Sequence, residues 1–477
     1  MTIRRRFGLA PGWIGIATGA LLLWHVALHT GLDGDVFWQW AAGRWMLAHH
    51  RLLTQDVFSY TVSGRPWFTE EWGYEVLLAG LIQLLGPVAL WLLSAGVGSA
   101  AVVVSAVAAR AQGASWTWAG LLAVLLGLGL ELFLRDRPQV VSYLLFAAQL
   151  ALLARARKHP RTLCILPGLM ALWANLHGSF LLGLGVLALE AVAAWWPVRW
   201  GRWIVSRPLE RRAATAVLGA GGLATFLTPH GPALWGYAWH VATDSRIAAV
   251  IQEWQSPNFH DPLLLALVAG PIAWSVVALG RTSEPVSWPG MVLSGTLLVA
   301  TLDSVRFLPY FLLAWVHWAA SRPLAPDLNR ARPALWVWPA VVVVAVLFLR
   351  GPWVAPGTPA RTVPVAAVDR LRNVHGRIFA TYRWGDYLVW AGVPVFIDGR
   401  TDLYTGTGVL GEYLGIANLT RVPDAVWRDY GVDYVLWPPG TTLAVYLERD
   451  PGWRLVYVSA QADIFERVTA RTTRGGV

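Results

Sequence analysis

Long apolar runs separated by short charged loops recur along the first three quarters of the chain. Eleven segments, at about residues 9 to 30, 88 to 109, 115 to 134, 139 to 154, 162 to 176, 178 to 197, 213 to 228, 262 to 280, 288 to 304, 307 to 321 and 334 to 350, read as helices crossing a bilayer. In hydrocarbon a chain must satisfy its own backbone hydrogen bonds, and a helix does so. The pattern changes in two places. Between the first two segments, residues 31 to 74 interleave polar and aromatic positions. There Phe37, Trp38, Ala41, Trp45 and Met46 have helical spacing, and Glu75 to Leu85 is a second short apolar helix. Both are expected to lie in the interface plane. Beyond residue 361, strand-like RIFAT, VFID and DYVLW alternate with helical stretches and end in paired strands at 453 to 459 and 462 to 467. That alternation predicts an α/β sheet of three or four parallel strands with a terminal hairpin. The expected organisation is a membrane domain, 1–350, carrying the long loop 31–87, then a linker, 351–360, and an α/β domain, 361–477.

Composition agrees with this reading and narrows it. The chain of 477 residues is 56% hydrophobic and 14% charged, against roughly 45 to 50% and about 25% in soluble domains. A soluble globular enzyme, a disordered chain and a disulfide scaffold are excluded, the last because Cys164 is the only cysteine. Recurrence of the apolar runs excludes a lone signal peptide or a single anchor. With the N-terminus cytoplasmic, inside loops hold 17 Lys and Arg residues and outside loops up to residue 333 hold 7. This is the positive-inside asymmetry of a multi-pass membrane protein. An odd number of spans then places the α/β domain on the extracytoplasmic side. The formal charge of +10 reports orientation and contact with anionic membrane lipids, and no nucleic-acid partner is expected. The 30 tryptophans are chiefly interfacial anchors, although those of the outside loops also offer faces to sugar or polyprenyl chains.

Candidate chemistry gathers in the outside loops. Asp33 or Asp35 stands where a helix cap would be, and capping at the membrane surface is the plain alternative to a functional role. Glu70, Glu71 and Trp72 close the first loop, and Asp136 lies at the mouth of the third segment. A carboxylate at the headgroup layer can take the proton of an acceptor as it attacks an activated sugar. Arg135, Arg137 and Arg306 can hold a lipid phosphate through charge-assisted bonds. His177, at the turn between the fifth and sixth segments, is either a satisfied turn histidine or a donor to phosphate. Glu253 and Trp254 form a sugar-facing pair or an acidic cap beside an anchor. Asp398, Arg400 and Asp402 follow a strand, where α/β sheets place ligands; they bind an acceptor sugar, dock on the membrane loops or simply build the turn. No GxGxxG or P-loop occurs.

The stretches DGDVFWQWAAGRWML, DVFSYTVSGRPWFTEEW, RPQVVSYLLF, LWANLHGSFLLG, LTPHGPALWGY with QEWQSPNF, RFLPYFLLA, and WGDYLVW with VFIDGRTDLY carry a resemblance over nearly the whole chain. In order, they are similar to a group of bacterial polytopic membrane proteins of GT-C-like topology, and through it to the GT-C superfold glycosyltransferases. The resemblance implies a polyprenyl-phosphate-sugar donor, a glycan, lipid or protein acceptor, and transfer of a hexosyl or pentosyl group. It makes Asp33 or Asp35 the base and Asp136 a second acidic residue. Two positions depart from the group's pattern: Gln39 and Glu70 stand where histidines are usual. The resemblance is compatible with a divalent cation, magnesium or manganese, at Glu70 and Asp33 or Asp35, and equally with a metal-free site. Other classes consistent with the topology are a non-catalytic scaffold subunit of an envelope assembly system and a lipid or sugar transporter. Transporters carry charge and broken helices at mid-membrane; helix centres nearly free of charge and the lack of internal repeats favour a site on the outside face.

Overall fold

The computed structural model describes residues 9–32, 34–196, 203–204, 208–243, 252–281, 286–320 and 352–468. In chain order the helices are α1 (Leu9–His29), α2 (Val36–His49), α3 (Trp72–Leu85), α4 (Val97–Ala111), α5 (Trp116–Glu131), α6 (Gln139–Ala156), α7 (Leu166–Leu176) and α8 (Phe180–Trp195). They continue with α9 (Arg211–Ala224), α10 (Ala233–Thr243), α11 (Pro262–Arg281), α12 (Trp288–Asp303) and α13 (Leu308–Ala319). After the described residues resume, α14 (Val365–Leu371), α15 (Tyr382–Trp390), α16 (Thr401–Tyr404), α17 (Val409–Ala417), α18 (Pro423–Asp429) and α19 (Thr442–Arg449) alternate with strands β1 (Arg377–Ala380), β2 (Val432–Trp437), β3 (Trp453–Tyr457) and β4 (Asp463–Arg467). The chain divides into two compact units. The first comprises residues 1–30 and 88–354; the second comprises 31–87 and 355–477. The long first loop, expected to go with the membrane helices, thus belongs to the same unit as the C-terminal domain.

The first unit is helical. Helix α13 is buried on nearly every side, from Leu308 to Ala319, as a helix that is apolar all round must be. Helices α1 and α5 meet backbone to backbone: a Cβ at Gly15 would fall 2.7 Å from Gly120 and one at Gly127 2.4 Å from the Gly19 carbonyl oxygen. Small residues at such crossings let dispersion contacts replace the hydrophobic drive that lipid does not supply. Four helices are long and apolar enough to cross a membrane, Gly12–His29, Val88–Ala111, Gln139–Ala156 and Pro262–Arg281. Shorter apolar helices occupy Trp116–Glu131 and Phe180–Trp195, so four of the expected eleven spans are met by a full-length apolar helix among the described residues. The eleventh segment, 334–350, lies outside the described residues. The helix at 88–111 contains a π-turn, Leu92–Gly96, which places Ser94 out of ordinary α register.

In the second unit a four-stranded sheet runs β1-β2-β4-β3. Only β1 and β2 are parallel; β2 with β4, and β4 with β3, are antiparallel. The expected parallel sheet is therefore mixed, and VFID is an extended segment outside it. Val395 of that segment makes bridges to Ile378 on one side and to first-loop Ser59 on the other. Tyr60 N donates to the Val395 carbonyl at 3.0 Å, and the Thr61 hydroxyl donates to the Phe396 carbonyl at 2.7 Å. The loop is thus stitched onto the sheet edge. Phe379, Phe396, Phe465, Trp427 and Trp437 fill the core beneath, with Phe379 and Phe396 edge to face at 5.0 Å.

Candidate active site

In the first unit, segments far apart in sequence assemble one polar cluster. Arg137, just before α6, reaches Glu253 at 3.4 Å. The guanidinium of Arg306, just before α13, lies 5.2 Å over the ring of Trp254. A short turn ties these together: the Ser304 hydroxyl donates to the Glu253 carbonyl at 3.1 Å, and Val305 N donates to the Gln255 carbonyl at 2.9 Å. Arg306 is half-buried. It is also close enough to His177 to act on it electrostatically.

His177 caps the C-terminus of α7 in extended conformation and is buried. Its Nδ1 accepts the Ser179 backbone N–H at 3.1 Å and sits 2.7 Å from the Ser179 hydroxyl. That hydroxyl receives the Tyr310 O–H at 3.0 Å and the Trp173 indole N–H at 3.2 Å, so its own proton is free for Nδ1. The neutral ring proton of His177 therefore resides on Nε2. Burial first, and Arg306 second, push its pKa down to about 3. The imidazole is therefore held neutral in this setting.

Asp136 is half-buried. Burial raises its pKa to about 6, opposed by a hydrogen bond to Ser94 and by the charge of Arg135. Arg135 donates to the carbonyl of Leu134 at 3.2 Å.

The second unit concentrates carboxylates. Asp35 occupies the N-cap position of α2 and makes no side-chain capping hydrogen bond there. Asp33 lies outside the described residues. Gln39, standing where the similar group has histidine, donates to Glu71 at 3.0 Å. Trp72 begins α3, and Glu75 one turn on is 1% exposed. Burial raises the pKa of Glu75 to about 8, with Arg400 opposing and Glu70 and Asp402 adding to the rise. One of its oxygens is buried with no hydrogen-bond partner. Among the described residues, no group of three or more His, Cys, Asp or Glu side chains is arranged to hold a metal ion.

Asp398 and Arg400 correct the expectation of a sugar-binding pair. Both are fully buried, and Arg400 joins Asp398 at 2.6 Å and first-loop Asp56 at 2.7 Å. Its Nε also donates to Asp398 at 2.8 Å, the Tyr404 hydroxyl donates to the same carboxylate at 2.9 Å, and the guanidinium lies 4.6 Å over Trp67. The turn locks the first loop to the C-terminal part, which is a structural task. Asp402 remains half-exposed. Sequence reasoning passed over Asp386 and Glu75. Asp386 sits inside the quoted motif WGDYLVW, and its aspartate between glycine and tyrosine was the available signal; Glu75 was hidden as the first residue of an apolar run.

No protein-family model matches the chain, and no curated protein matches it in sequence. Solved structures do match. An oligosaccharyltransferase, AglB, from Archaeoglobus fulgidus, in complex with an inhibitory peptide and a dolichol-phosphate, superposes with a TM-score of 0.61 at 11% identity, covering 92% of this chain and 70% of that one. ArnT from Cupriavidus metallidurans, bound to undecaprenyl phosphate, superposes at 0.51 with 16% identity, covering 97% and 99%. These likenesses establish architecture, and with the apolar helices they make the chain a membrane protein of GT-C-like polytopic fold.

Proposed function

We propose that the chain is a membrane glycosyltransferase that moves a sugar from a polyprenyl-phosphate-linked donor to an acceptor on the extracytoplasmic side. The observation that carries this reading is the convergence of Arg137, Arg306 and neutral His177 in the first unit. Two half-exposed guanidinia beside a neutral imidazole suit a phosphate monoanion or dianion leaving with the electrons of the sugar–oxygen bond. ArnT binds undecaprenyl phosphate and AglB binds dolichol-phosphate, which supports a lipid phosphate as that group. In the proposed step the acceptor oxygen bonds to the anomeric carbon, the bond from that carbon to phosphate oxygen breaks, and the acceptor's proton passes to a first-loop carboxylate. Asp35 is the described candidate for this base, with Asp33 beside it in sequence. Glu70, Glu71, Trp72 and Asp402 are candidates for the acceptor or sugar, and Glu253 with Trp254 for the sugar next to the phosphate. Asp136 is a second acidic group, and Arg135 supports its charge.

The test is release of lipid phosphate by the purified chain in detergent, supplied with polyprenyl-phosphate sugars and candidate acceptors. Asp35→Asn and Asp33→Asn are compared with wild type. Loss of turnover in one of them is expected; unchanged turnover in both removes the base assignment. No turnover with any donor, together with a partner that co-purifies in fixed ratio, favours a scaffold subunit.

A further inference from the structure

The backbone at position 399 is held from three directions. Its N–H donates to Asp386 Oδ1 at 2.6 Å, and its carbonyl accepts the Tyr382 O–H at 2.9 Å. On its third side, a Cβ at Gly399 would stand 2.8 Å from Asp35 Oδ1 and 2.7 and 3.0 Å from the two oxygens of Asp386. A side chain there would force one of these carboxylates to move, so both lean on a bare Cα. The neighbouring Gly385 has the same property in the other direction: its Cβ would fall 2.2 Å from the carbonyl oxygen of Ile397. Helix α15 at Gly385-Asp386 and the Asp398-Gly399 turn therefore interlock, each using the other's missing side chain. Beneath them the buried Arg400 anchors the second turn to first-loop Asp56. Asp386 is 1% exposed and immobile in this setting, whereas Asp35 is half-exposed at the start of α2.

We infer that Gly399 and Asp386 are positioning residues for Asp35, so that the C-terminal part of the second unit sets where the first-loop carboxylate can stand. The inference rests on the base reading above. Asp386 does not touch the reacting atoms; it fixes the 399 peptide, and that peptide's flat face limits the position of Asp35. A methyl group at 399 displaces the carboxylate, and a displacement of about 1 Å at a reacting group costs on the order of 100-fold in rate.

The full chain in detergent, with a polyprenyl-phosphate sugar as donor, tests this through kcat and donor KM. Asp35→Asn is expected to lose turnover. Gly399→Ala and Asp386→Ala are expected to lower kcat about 100-fold with donor KM held within about threefold. Asp386→Asn keeps an oxygen for the Gly399 N–H and is expected to recover most of that loss, which a general loosening of the fold would not produce. Wild-type kcat in Gly399→Ala and Asp386→Ala, with Asp35→Asn inactive, overturns the positioning role and leaves the base assignment standing. Full turnover in Asp35→Asn overturns the base assignment, and this inference falls with it. Should Gly399→Ala fail to fold, the contrast between Asp386→Ala and Asp386→Asn decides by itself.

Discussion

The two units treat arginine in opposite ways. In the first, Arg306 is half-buried with its guanidinium 5.2 Å over the ring of Trp254, and the half-buried Arg137 reaches Glu253 at 3.4 Å. In the second, Arg400 has no exposure and is gripped by two carboxylates, a tyrosine hydroxyl's neighbourhood and an indole face. A charge that is fully desolvated between two buried carboxylates is closed to a ligand, and breaking its pairing strands the partners. A charge stacked on an aromatic ring at a half-open site keeps its hydrogen-bonding capacity. Arginines that look alike in a sequence thus divide into one that builds the unit and others that remain available for chemistry.

That contrast can be broken or sharpened by experiment. The largest expected effect is Arg400→Met, which leaves Asp56 and Asp398 buried without a cation. A loss of about 3 to 5 kcal/mol in stability is expected, enough to unfold the second unit or lower its melting temperature sharply, as followed by tryptophan fluorescence. Next, Arg306→Ala is expected to reduce lipid-phosphate release about 100-fold with melting unchanged. A fall in melting as deep as that of Arg400→Met would make both arginines structural and erase the distinction. Glu75 tests the second unit in another way. Burial raises its folded pKa to about 8, above the ordinary value of 4.5, so the folded state holds the proton longer than the unfolded one. Its stabilising contribution is complete below the unfolded value and is lost as pH rises through the folded value. Melting temperature should therefore fall between about pH 5 and pH 9 in wild type and much less in Glu75→Gln, a difference of roughly 5 °C; parallel curves would show that Glu75 does not titrate there. The smallest effect is expected for Ser179→Ala. The backbone N–H still holds the His177 tautomer, so turnover should drop only about fivefold, the worth of one hydrogen bond. A loss exceeding that of Arg306→Ala would transfer the leading role from the guanidinium to the imidazole.

The helices of the first unit were legible because apolar runs report burial in lipid or protein directly. Their lengths were less so: the segment read as 162 to 176 is divided between a 3-10 turn, Pro160–Ile165, and the eleven-residue α7, and hydropathy does not register a change of helix type. The strand candidates RIFAT and DYVLW were found from their β-rich pattern, but direction and pairing were not. VFID reads as a strand, yet Val395 spends its pairing on first-loop Ser59 as well as Ile378, a partnership no local window contains. The same limitation explains Arg400. A charged triplet after a strand suggests a ligand site until the carboxylate of Asp56, hundreds of residues earlier, is seen to be waiting for it. Asp35 was readable from its place before α2, and the structure puts it at the N-cap position of that helix. The convergence of His177, Arg137, Glu253 and Arg306 was anticipated as residue types and not as a single cluster, because four different helix ends supply them.

The division of the second unit into 31–87 and 355–477 has a consequence for how the protein is made. The first loop leaves the ribosome early, but the residues that complete its core come last. At about 5 to 20 residues per second, Asp56 waits on the order of tens of seconds for Arg400, with Trp67 and Phe58 lacking their covering cation throughout. Biogenesis must therefore include an interval in which the half-built unit is a client for chaperones or proteases, and a chain truncated after α13 would remain in that condition permanently.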